Sequence, residues 1–92
     1  MATHRSAEKR HRQSLKRRAR NRLARATYRT AVKSAVNVAE AGNAEDAKEK
    51  TQAATRLLDK AARHGIVHKK NAARKISRLQ KRINSLLATK SA

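Results

Sequence analysis

The sequence predicts an all-α protein: an antiparallel three-helix bundle with a long, basic N-terminal helix extending beyond the bundle. Three observations carry this reading. The 92 residues include no proline, and Ala, Lys, Arg, Leu and Gln fill most of the chain, all strong helix formers. The two glycines, Gly42 and Gly65, read as C-terminal stops and divide the chain in three. Apolar residues recur at helical spacing in each part, and the short connections at 42–43 and 65–68 favour antiparallel neighbours.

The first helix is expected to start after Ser6, a candidate N-cap with Glu8 in the first turn, and to reach about Ala41, roughly 50 Å. From Tyr28 onward, Tyr28, Val32, Ala35, Val36 and Ala39 make a stripe that can meet two other helices. Before Tyr28 the bases encircle the cylinder. Arg5, Lys9, Arg12, Lys16 and Arg20 form one line, Arg10 and Arg17 a second, and Arg18, Arg22, Arg25 and Arg29 a third. Leu15, Ala19 and Leu23 leave only a thin apolar line. Such a helix suits surrounding phosphate better than a protein core. Residues 5–27 are therefore read as a basic extension, and 28–88 as the bundle, of a single domain spanning 1–92.

The second helix is expected after Asn43, with Asp46 at the capping-box position, and to end at His64. Its stripe is Ala47, Ala54, Leu58, Ala61 and Ala62. The pairs Asp46–Lys50 and Asp59–Arg63 lie on its outer face at i,i+4. The third is expected from about Lys69 to Leu87, with Thr89 to Ala92 frayed. Ala72, Ile76, Leu79, Ile83 and Leu86 fall on one side of it, and Lys70, Arg74, Arg78 and Lys81 on the other, flanked by Lys75 and Arg82. The candidate core adds Leu57, Ile66, Val67 and Leu87 to these stripes, with Tyr28 at its edge. A core of that size gives marginal stability.

Charge points to the partner. The 25 Lys and Arg against 6 acids give a net charge of +19, so the compact state repels itself and a large anionic partner is close to a physical requirement. Residues 1–30 carry 11 bases and 1 acid, residues 31–60 carry 5 of each, and residues 61–92 carry 9 bases and no acid. The first and third helices thus hold the binding charge, and the second is neutral. Like charges at i,i+4 (Arg5–Lys9, Arg12–Lys16, Lys16–Arg20, Arg18–Arg22) predict that residues 5–25 order only on a polyanion, at about 0.2–0.5 kcal/mol of repulsion per pair. One Tyr, no Phe and no Trp leave no platform for stacking single-stranded bases, which favours a structured, duplex-like target.

Other chemistries find no seat. Without Cys there is no disulfide, thiol chemistry or Cys-bound zinc. His64 and His68 have metal-ligand spacing, but Gly65 breaks the helix between them and carboxylates are scarce. The acids form no close pair in an apolar pocket. Ser6, Ser14, Ser34, Ser77 and Ser85 lack a nucleophile elbow, and no phosphate-cradling glycine loop exists. No enzyme, metal or cofactor is expected. His4 and His11, among bases, suit phosphate donation. No apolar run suggests export or a membrane span, and a cytoplasmic protein is expected.

The run His4-Arg5-Ser6-Ala7-Glu8-Lys9-Arg10-His11-Arg12-Gln13-Ser14, followed by Lys16-Arg17-Arg18 and Arg20-Asn21-Arg22, resembles the N-terminus of the bacterial small-subunit ribosomal protein S-twenty family. So does Gly65-Ile66-Val67-His68-Lys69 with Asn71-Ala72-Ala73-Arg74-Lys75 and Ser77-Arg78-Leu79. This second motif is the more specific. The resemblance covers the whole chain, including the Glu40-Ala41-Gly42 turn. One difference stands out: the family pattern puts Asn directly after His-Lys, whereas Lys70 intervenes here.

The resemblance implies a three-helix bundle in the small ribosomal subunit that binds 16S ribosomal RNA and supports assembly, without catalysis and without forming a homo-oligomer. By matching position it implies RNA contacts from Arg5, Ser6, Lys9, Arg10, Arg12, Gln13, Lys16, Arg17 and Asn21. On the third helix it implies His68, Lys69, Asn71, Arg74, Lys75 and Arg78; Arg20 and Lys70, on the same basic faces, join these candidates. Contacts of this kind would neutralise phosphates of several RNA helices and fix position more than read sequence. Two rivals fit less well. A basic-zipper DNA-binding protein needs heptads continuing from the basic stretch, and Gly42 ends the first helix too soon. A membrane-active cationic helix needs a wide apolar face with aromatics, which Leu15, Ala19 and Leu23 do not supply.

Overall fold

The computed structural model describes the backbone of residues 2–91 and the side chains of residues 4–89. Three helices follow one another: α1 (Ala2–Glu40), α2 (Ala44–Arg63) and α3 (Lys69–Ser91). They pack as a bundle in which α1 is the long member. The principal extents are 70 × 21 × 13 Å, and the radius of gyration is 18.0 Å. A compact chain of this length would give about 12 Å. The excess is the half of α1 that runs past its neighbours.

Both turns are built alike. At the end of α1, Gly42 N–H donates to Ala39 O (3.0 Å) and Asn43 N–H to Val38 O (3.3 Å). At the end of α2, Gly65 N–H donates to Ala62 O (3.1 Å) and Ile66 N–H to Ala61 O (2.9 Å). This is the Schellman arrangement, which needs a left-handed residue at the centre. Gly42 (φ 85°) and Gly65 (φ 73°) supply it. Asn43 then serves the next helix too: its Oδ1 accepts from Asp46 N–H at 3.3 Å, and its Nδ2 donates to Asp46 Oδ2 at 2.8 Å. One residue thus closes α1 and caps α2, which leaves the chain little choice but to reverse.

The core is a seam of small residues with a few large ones at its margins. Ala35, Ala39, Ala47 and Ala54 are fully buried between α1 and α2, with Val36, Leu79 and Ile83 beside them. Toward the second turn, Tyr28, Leu58 and Ala61 are buried, with Leu57, Ile66, Val67 and Ile76 packed on them. Leu58 is the one large side chain among those described that is completely enclosed. Tyr28, expected at the edge, is only 5% exposed, because the second turn folds Ile66 and Val67 over the same cluster.

Helix limits differ from expectation at two ends. Ser6 is not an N-cap and Glu8 is not in the first turn, since α1 already begins at Ala2. Nothing between Ala2 and Ser6 stops a helix, and Ser is only a weak helix opponent. α3 continues to Ser91 rather than fraying at Thr89, whose hydroxyl donates to Ser85 O at 2.9 Å; Ala92 lies outside the described residues. The basic stretch 5–25 is part of α1 and helical throughout. Its residues are good helix formers, and extension from the packed segment after Tyr28 needs no new nucleus, so a few tenths of a kcal/mol per like-charge pair do not unwind it.

Two outcomes follow from this packing. Leu79→Ala should destabilise the bundle by about 2–5 kcal/mol in thermal or urea unfolding. Amide protection in the free protein should be greatest over residues 28–40 and fall steadily toward residue 5; uniform protection would reveal contacts on the extension that the structure does not have.

Candidate nucleic-acid interface

None of the described side chains before Tyr28 is buried. Arg5, Ser6, Lys9, Arg10, Arg12, Gln13, Lys16, Arg17 and Arg20 are all exposed, on a stretch of α1 that presents charge in every direction. Leu15 (49% exposed) and Leu23 (69%) stay in solvent with them, so neither is packed away against the bundle. Asn21 is the exception among the candidates. It is half-buried, its Oδ1 is covered, and that oxygen has no hydrogen-bond partner. It sits in a concavity of about 530 Å³ with Arg18, Arg22, Arg25, Ala26 and Arg29.

On α3, Lys69, Lys70, Asn71, Arg74, Lys75 and Arg78 are exposed. His68 has a structural task that its sequence position did not reveal. Its carbonyl accepts from Ala72 N–H at 3.0 Å and its Nδ1 from Lys70 N–H at 3.2 Å, which makes it the N-cap of α3. Accepting at Nδ1 puts the imidazole proton on Nε2, on a side chain open to solvent.

The two helices do not join their charges everywhere. Arg5 to Lys16 lie where no other element covers α1. Lys69 lines a cleft on the α2 side of α3, with Arg56, Asp59 and Arg63. Lys75 and Arg78 turn the other way. With Arg82 they face Arg29 and Lys33 of α1 across a cleft of about 380 Å³ that lies over the core residues Tyr28, Val36, Leu58 and Leu79, with Val32 alone part-exposed. Sequence periodicity puts Arg29 and Arg82 on basic lines of their helices and does not by itself single out Lys33. Its position four residues after Arg29, beside the apolar stripe, was the available signal.

These cations have almost no internal partners. The one ion pair among the described residues is His4 Nε2 to Glu8 Oε1 at 3.2 Å, fully on the surface. The acid-first pairs Asp46–Lys50 and Asp59–Arg63 do not close; Asp46 is engaged by Asn43 instead. Arg25 Nη2 donates to Ile66 O at 3.4 Å, a long contact that ties α1 to the second turn. Among the described residues there is no group of three His, Asp or Glu able to hold a metal, and no helix long and apolar enough to cross a membrane. The arrangement can attract and seat polyanions, and nothing in it is set for bond-making.

The family model for ribosomal protein S20 matches residues 2–84. The chain belongs to the ribosomal protein S20 family. Its relatives include the small ribosomal subunit protein bS20 of Oleidesulfovibrio alaskensis, 45% identical over 86 residues (94% of this chain and 99% of that protein). Those of Syntrophotalea carbinolica and Desulfovibrio desulfuricans are each 48% identical, over 94% and 96% of this chain and 99% of their own length. The S20 family is one of ribosomal proteins, not of enzymes.

Membership also clarifies what its more specific motif does here. Gly65 makes the left-handed turn, Ile66 and Val67 plug the core, and His68 caps α3. His68→Ala should therefore lower the stability of the free protein by about 0.5–1 kcal/mol in urea unfolding, while His68→Asn, which keeps an N-cap acceptor, should not.

Proposed function

We propose that the chain is a structural constituent of the small ribosomal subunit that binds 16S ribosomal RNA through phosphate and shape, and supports subunit assembly. The observation that carries this is the exposed, unpaired cation set on α1 and α3, in a family whose relatives are named as small-subunit proteins. A helix charged on all sides, and free of tertiary contacts over its first turns, is suited to insertion among several RNA helices, each meeting a different line of bases. α3 would offer a second, one-sided surface. The basic extension (5–27) and the bundle (28–88) would then divide the work: the first engages RNA, the second holds α1 and α3 in fixed relation. Arg5, Lys9, Arg10, Arg12, Lys16, Arg17 and Arg20 would neutralise phosphates on α1, and Lys69, Lys70, Arg74, Lys75 and Arg78 on α3. Ser6, Gln13, Asn21, Asn71 and the outward Nε2–H of His68 would add neutral hydrogen bonds.

Filter binding or titration of 16S RNA across a salt series tests this reading. Log affinity should fall linearly with log salt, by about 0.7–0.9 per phosphate neutralised, with a total slope of several units. A flat dependence would overturn the charge-driven mechanism. Arg74→Ala with Arg78→Ala should weaken binding and reduce the slope by up to about two, with helicity unchanged because both side chains are exposed. The protein should also co-sediment with small subunits through a moderate-salt wash; release into a DNA fraction would favour a nucleoid role.

A further inference from the structure

Between α1 and the C-terminal half of α2 lies a groove whose apolar residues solvent can reach. Leu23 of α1 is 69% exposed and belongs to neither core cluster. Leu57 of α2 and Ile66 of the second turn are part-exposed beside it. The three line one groove of about 320 Å³, with Arg20, Lys60 and His64 around them and no carboxylate among the lining residues. The acids of α2 are elsewhere. Glu45, Asp46 and Glu49 lie in its first two turns, and Asp59 lines the cleft toward α3. Of the six groove residues named, only Arg20 belongs to the proposed RNA surface. An RNA duplex meets proteins with phosphates and 2′-hydroxyls and gives three aliphatic side chains nothing to pack on.

We propose that this groove docks an amphipathic helix of another protein, apolar along one side and acidic along the borders of that side. The inference goes beyond the RNA-binding reading and does not depend on it. Charge selects the occupant. A rim of Arg20, Lys60 and His64 without a carboxylate favours acidic flanks, and a second copy of this chain, at +19, is repelled. The span fits as well. From Leu57 to His64 α2 rises about 10 Å, or two turns. A helix laid along it would present residues i, i+3 or i+4, and i+7 to the aliphatic floor. Leu23 gains most from such a partner, since no element of this chain covers it.

The test uses the full-length protein labelled at Leu and Ile methyls and two synthetic peptides. One is a short helix with Leu at i, i+4 and i+7 and Glu beside them; the other is its scramble, equal in composition and charge. The helix should shift the Leu23, Leu57 and Ile66 methyl resonances saturably, and the scramble should leave them in place. Equal shifts from both peptides, or none from the helix, would overturn the proposal. Leu23→Ser should weaken binding of the helix about tenfold, the lower range for uncovering one leucine, with helicity unchanged because the side chain is exposed. Leu15→Ser, exposed on the same helix but outside the groove, should leave that affinity as it is. Equal affinity for the natural and Leu23→Ser proteins, or equal losses in the two variants, would also overturn it. A short RNA duplex is the third probe. Saturable shifts of the same three methyls by the duplex would assign the groove to RNA and refute a protein partner.

Discussion

The close approach of α1 to α2 is the constraint on which everything else in this fold depends. Ala35 and Ala39 meet Ala47 and Ala54 with no exposed surface left. Small side chains let two helix backbones come near each other, and they do it in a chain with few large apolar residues to spare. The seam grips α1 by its C-terminal half only. The rest of the helix is held out as a rigid continuation of a packed segment, and its cations, denied any internal counter-charge, face outward on all sides. A bulkier seam would push α2 away, loosen the cluster around Leu58, and remove the anchor that keeps the extension pointing in one direction.

The same economy governs the turns. Asn43 ends one helix and begins the next, and the segment Gly65 to His68 turns, fills the core and caps α3 within four residues. The opening of the Gly65–Leu79 motif is therefore occupied by residues that reverse the chain. The basic residues that would do the binding are spread over long helical stretches, where any one of them is less distinctive.

Much of this was legible beforehand. Two glycines in a proline-free chain gave the number of helices, and 3.6-residue periodicity gave the buried stripes of all three. The start of α1 was not legible, because the signal at Ser6 was an N-cap without a preceding breaker. Burial of Tyr28 was missed because it depends on where Ile66 and Val67 land after the second turn. The facing of Arg29 and Lys33 across from Lys75, Arg78 and Arg82 was beyond reach for a similar reason: periodicity orders residues around one axis and says nothing of how two axes lie together. The i,i+4 spacing of Asp46–Lys50 and Asp59–Arg63 does not bring them into ion pairs, since exposed partners gain little by closing.

The uncovered half of α1 also bears on how easily an unbound copy of the chain could be cut. Its backbone is protected only by its own helical hydrogen bonds, so it opens locally at far lower free energy than the bundle does. Nearly every turn from Arg5 to Arg25 offers a basic residue, the cleavage preference of trypsin-like proteases. Degradation through such openings follows the fraction of time the segment is undone. A copy bound to RNA as proposed, with those side chains against phosphate, would be undone less often. On the proposed reading, a free copy would thus be the more easily cleaved, and its binding site would double as its protection.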